Sequence, residues 1–92
     1  MKPVLVTTSH RGVFAGLVAD DADITPRTLA LKGAMMCIKW RHRRGVMGLA
    51  DKGPSKDCLI GAVADIPVLH DVTAVFDMTQ EAYAAWLGKA PK

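Results

Sequence analysis

Residues 13–19 read Val-Phe-Ala-Gly-Leu-Val-Ala, with no polar side chain on either face of an extended segment. A strand of this kind is buried on both sides, either by closure of a barrel or by a partner chain. Turn signals recur about every ten residues, and no helical periodicity appears before residue 79, which is the spacing of short antiparallel strands. The expected fold is therefore mainly β: a small antiparallel β-barrel or sandwich of about six short strands with one short C-terminal α-helix. One domain over residues 1–92 accommodates it.

Val4-Leu5-Val6-Thr7-Thr8 is rich in β-branched residues and reads as the first strand, and Ser9-His10-Arg11-Gly12 turns the chain. Residues 27–32 alternate, with Leu29 and Leu31 on one face, and Gly33 breaks that strand. Residues 34–40 and 46–50 are expected to form a β-hairpin whose tip carries a basic cluster and Gly45. Residues 58–63 and 71–77 supply the last strands. Thr79 is placed to cap a helix, with Glu81 in its first turn and Tyr83, Trp86 and Leu87 on one apolar stripe. Gly88 and Pro91 stop it.

Half of the chain is hydrophobic and 23% is charged, which excludes intrinsic disorder. No apolar run approaches the roughly 20 residues of a membrane span, and the N-terminus does not read as a secretory signal. A 92-residue domain has little interior, so the apolar surplus predicts a homo-oligomer. Cys37 and Cys58 lie in apolar runs and are expected as reduced, buried thiols of a cytoplasmic protein, with a single bridge as the alternative.

Positive charge is local. Lys39, Arg41, Arg43 and Arg44 fall within six residues, beside Trp40 and His42. Without those four cations, the remaining eight basic side chains meet nine acidic ones, a net of −1. Guanidinium groups match phosphate bidentately and an exposed Trp stacks on bases, so the run suits nucleic acid, a nucleotide or an acidic protein surface. Lys39, Trp40, Arg41, Arg43 and Arg44 form the candidate ligand-binding set, with His10 and Arg11 added from the first turn. The bland alternative puts Trp40 in the core and the arginines on a solvated loop.

Other chemistry is poorly supplied. Asp21-x-Asp23-x-Thr25 resembles the start of a calcium loop, but Pro26 stands where the loop needs glycine and Lys32 where it needs glutamate. Cys37, His42, Cys58 and His70 match no compact zinc spacing. His70 and Asp71 are adjacent in an extended segment and point apart. The expectation is a non-enzymatic protein without cofactor or metal.

Several stretches together resemble a family of small proteins of unknown function encoded by tailed bacteriophages and prophages. They are Val6-Thr7-Thr8-Ser9-His10-Arg11-Gly12-Val13-Phe14-Ala15-Gly16, Leu31-Lys32-Gly33-Ala34-Met35-Met36-Cys37-Ile38-Lys39-Trp40 and Gly45-Val46-Met47-Gly48-Leu49-Ala50. Gly53-Pro54-Ser55-Lys56-Asp57-Cys58, Leu69-His70-Asp71-Val72-Thr73-Ala74-Val75, and Glu81-Ala82 with Ala85-Trp86 complete the match. The resemblance implies a phage or prophage origin, action in the cytoplasm of the bacterial host and an accessory role; it carries over no catalytic residue. The leading expectation is a self-associating β-barrel that binds nucleic acid or a nucleotide through the basic hairpin tip. An antagonist of a host defence protein and a structural homo-oligomeric assembly unit are the alternatives.

Overall fold

The computed structural model describes residues 1–9, 12–39 and 45–91. Six strands and two helices follow in the order β1 (Lys2–Thr8), β2 (Val13–Val18), β3 (Leu29–Lys39), α1 (Gly45–Asp51), β4 (Leu59–Ile60), β5 (Ala64–Leu69), β6 (Val72–Asp77) and α2 (Gln80–Lys89). The sheet runs β4-β3-β2-β1-β6, with β5 pairing β3 alongside β4, and every ladder is antiparallel.

The doubly apolar strands lie between two small cores. On β1, Leu5 faces one core and Val4 and Val6 the other, all fully buried. On β2, Val13 and Ala15 join Leu5, while Val18 joins Val4 and Val6. The first core is roofed by the helices, through Leu49 and Ala50 of α1 and Ala82, Tyr83 and Trp86 of α2. The second is covered by the curl of the sheet itself, which brings Leu29 and Leu31 of β3, with Ile66 and Leu69 of β5, over Val4 and Val6. The chain thus shields both faces of β1 and β2 within one subunit, by its helices on one side and the curl of its own sheet on the other. The sheet does not close into a barrel: β5 and β6 follow each other across two residues but pair with β3 and β1, on opposite sides. Asp71, at φ 59, makes that sharp link, and Val72 N–H donates to the Arg27 carbonyl at 2.9 Å.

Gly33 bends the third strand and does not end it. Ala15 pairs Met35 while Leu17 pairs Lys32, so β3 carries one extra residue there, a β-bulge with Gly33 at φ 54. The extra residue swaps the faces. Before it, Leu29 and Leu31 point to the sheet-covered core; after it, Met35 and Cys37 point to the helix-covered core. A Cβ on Gly33 would sit 2.7 Å from the Tyr83 hydroxyl, which donates to the Gly33 carbonyl at 2.8 Å. Gly33 N–H donates in turn to Asp65 at 2.8 Å.

Residues 46–50, expected as the returning strand of a hairpin, are helical in α1. The reason is tertiary. A short helix leaves its last carbonyls without partners, and here they are met from α2: Trp86 Nε1 donates to Leu49 O at 3.1 Å, Thr79 N–H to Ala50 O at 3.0 Å and the Thr79 hydroxyl to Asp51 O at 2.7 Å. Gly53, at φ 95, turns the chain away, its N–H reaching Gly48 O at 3.3 Å.

Helix α2 begins where the sequence placed it, with the Thr79 hydroxyl accepting from Ala82 N–H at 3.0 Å. Its buried stripe is Ala82, Tyr83 and Trp86, continued by Ala90 beyond the helix; Leu87, expected on it, is exposed. Gly88 lies inside the helix, which stops at Ala90 before Pro91. No helix among the described residues is long and apolar enough to cross a membrane.

Candidate partner-binding surface

Of the sequence-predicted contact set, Lys39 is described: it is the last residue of β3, it is exposed, and it pairs with Leu59 of β4. Trp40, Arg41, Arg43 and Arg44, with His42 between them, lie outside the described residues, as do His10 and Arg11. Their flanks are fixed. The basic run connects the end of β3 to Gly45 at the start of α1, so it is not the tip of a β-hairpin.

Register brings the flanks of the two basic segments to one end of the sheet. Phe14 pairs Met36, so the start of β2, just after Gly12, lies beside the end of β3 that leads to residue 40. The other flank of residues 10–11 is held by Thr8 N–H on Gly12 O at 2.9 Å and by Ser9 N–H on Asp71 O at 3.0 Å. The described flanks, Gly12 and Lys39, thus lie at the same end of the sheet.

Beside Lys39 runs an apolar row that sequence reasoning missed. Met36 is 44% exposed, Ile38 60% and Leu59 54%. Met36 and Ile38 continue the face of Leu29, Leu31 and Ala34, but the β5 cover stops where Ala34 pairs Ala64. Alternation alone assigns both to a core. What exposes them is the length of β5, which no pattern within β3 encodes.

Behind this row, Cys37 and Cys58 are buried as thiols in the helix-covered core. Burial pushes the Cys37 thiol up to about 12, and the neighbouring Cys58, with which it hydrogen-bonds, adds to that; Lys89 acts weakly the other way. Cys37 Sγ donates to Lys39 O at 3.5 Å, and Cys58 Sγ lies 3.5 Å from the Ser55 hydroxyl. The loop carrying Cys58 is tied to α2 by Lys89 Nζ, which donates to Ser55 O at 3.0 Å and Lys56 O at 3.1 Å.

Asp23 accepts from Thr25 N–H at 3.0 Å and from the Thr25 hydroxyl at 2.7 Å, a capped turn; both bonds hold its carboxyl below the usual range. Among the described residues, no group of three or more His, Cys, Asp or Glu is placed to hold a metal ion. His70 and Asp71 are exposed at the β5–β6 link. A cleft of about 360 Å³ is lined by Met47, Ala50, Asp51, Phe76, Asp77 and Thr79, and its two carboxylates make it a poor anion site.

The family described as a domain of unknown function, DUF6948, matches residues 1–86. No curated protein and no solved structure matches the chain.

Proposed function

We propose that this chain, which belongs to the DUF6948 family of domains of unknown function, is a non-enzymatic, self-associating binding module that meets an anionic partner through the basic segment 39–44. One observation carries this reading: the whole positive charge excess is concentrated in six residues, the first of which, Lys39, is exposed at the end of β3. Nucleic acid or a nucleotide is the first partner, since clustered guanidinium groups are strong and bidentate toward phosphate. Phage origin and action in a bacterial cytoplasm belong to the same proposal and rest on the sequence resemblance.

The test is the salt dependence of binding. A phosphate-driven contact loses log affinity linearly with log salt, and each lost contact flattens the slope by about one unit. Titration of a labelled single-stranded oligonucleotide over a salt series is expected to give a steep slope that Arg43→Ala with Arg44→Ala flattens. Salt-independent binding, or none, removes the reading.

A second reading is favoured by the exposed row of Met36, Ile38 and Leu59. Apolar surface at a sheet edge suits a protein partner, such as a host defence protein that this chain would antagonise. Capture of a single host protein that survives high salt, and is lost in Ile38→Ser, supports it, because screening spares apolar contacts.

A further inference from the structure

We propose that Cys37 and Cys58 are a latent disulfide, a thiol pair that closes on oxidation and clips together the two ends of the excursion that carries the basic segment. The two residues occupy one core cluster. Cys37 pairs with Ile60 across the β3–β4 ladder, Cys58 immediately precedes β4, and the two thiols are in hydrogen-bonding contact. The twenty residues between them, 38–57, contain the whole basic run and α1. A bond there converts that excursion into a covalent loop rooted in the sheet. This inference stands apart from the anionic-partner reading, because it concerns the bond and its effect on the fold.

The oxidant is a small-molecule disulfide such as oxidised glutathione. The Cys58 thiolate attacks one glutathione sulfur, forming a mixed disulfide and expelling one glutathione thiolate. Cys37 then gives its proton to solvent and attacks Cys58 Sγ, and the second glutathione leaves as thiolate. Two electrons pass from the protein to glutathione disulfide, and two protons leave the thiols. Cys58 attacks first because it sits on a loop that can open, whereas the Cys37 thiol is held protonated within a strand. The two Lys89 bonds to the loop set how often it opens.

The experiment incubates the full chain with a mixture of reduced and oxidised glutathione, blocks remaining thiols and maps peptides without reduction. A parallel incubation at the midpoint of urea unfolding, followed by dilution, removes burial as a kinetic barrier. The expected product is an intramolecular Cys37–Cys58 link whose melting temperature lies on the order of 10 °C above that of the reduced protein, reversed by dithiothreitol. Cys37→Ala with Cys58→Ala is expected to show no oxidant-dependent shift. Lys89→Ala is expected to reach the same product several-fold faster without urea. Stable glutathione adducts, thiols that stay open in both incubations, or a link that leaves the melting temperature unchanged or lower would each overturn the proposal.

Discussion

The indole nitrogen of Trp86 donates to the carbonyl of Leu49 at 3.1 Å, across 37 residues of sequence and in the middle of the core. That bond ties the two helices together and supplies a partner that α1 lacks. Leu49 would bond to the N–H of residue 53 if the helix continued, but Gly53 turns back to Gly48. Trp86 thus acts both as the largest fully buried side chain among the described residues and as a cap for a helix not its own.

Trp86→Phe keeps an aromatic ring in the core but removes the donor, leaving a buried carbonyl unpaired and some volume unfilled. The expected loss is about 2–3 kcal/mol of folding stability. Urea unfolding followed by circular dichroism checks it: the midpoint falls while the slope stays the same. A variant as stable as the parent would show that α1 does not depend on this bond.

Much of the fold was legible in local pattern, and what was not depends on distant residues. The β-rich class, the first two strands and the Thr79 cap are local features of spacing, branching and capping chemistry. Residues 46–50, Val-Met-Gly-Leu-Ala, suit a strand or a helix equally, and the choice is made by Thr79 and Trp86 far along the chain. Gly33 reads as a break because glycine at a bulge and glycine at a turn look alike in sequence; the bonds of Asp65 and Tyr83 on either side of it decide the matter. At the candidate site the charge was legible at once. The apolar row was not, because the exposure of Met36 and Ile38 depends on where β5 ends.

Gly33 and Gly88 should respond in opposite senses to the same substitution. At Gly33 the backbone is left-handed, and an added methyl would meet the Tyr83 hydroxyl at 2.7 Å. Gly33→Ala is expected to cost about 2 kcal/mol through backbone strain and a disturbed Tyr83 hydrogen bond. Gly88 lies within α2 with nothing within 4 Å of such a methyl, so Gly88→Ala is expected to add about 0.5–1 kcal/mol. Thermal melts of the two variants beside the parent separate these signs.

Alkaline pH should weaken the fold through Cys37. Its thiol ordinarily ionises near 9.0 and is pushed up to about 12 in the folded chain, chiefly by burial. Between those values the unfolded chain has released a proton that the folded chain retains, so stability falls as pH rises. The contribution is fully present below pH 9.0 and is lost progressively as pH rises towards about 12. Tyr83, raised by burial and by the charge of Asp65, bends the curve in the same direction. Under a non-thiol reductant, Cys37→Ala is expected to show a shallower decline than the parent. Equal slopes would mean that the thiol ionises alike in both states.

The row of Met36, Ile38 and Leu59 gives self-association a physical basis that the doubly apolar strands no longer supply. Those strands are covered within one chain, so removing a partner need not unfold it, and a dimer built on the exposed row should dissociate into folded monomers. Ile38→Ser with Leu59→Ser replaces side chains that are already more than half in water, so folding stability should change by less than about 0.5 kcal/mol each. Sedimentation velocity over a concentration series is expected to show the parent shifting to larger species and the double variant remaining monomeric. Unlike the basic contact, this association should persist at high salt, since it buries apolar surface and not paired charge. A parent that stays monomeric at every concentration, or a double variant that associates as strongly as the parent, would rule out the row as the surface between copies.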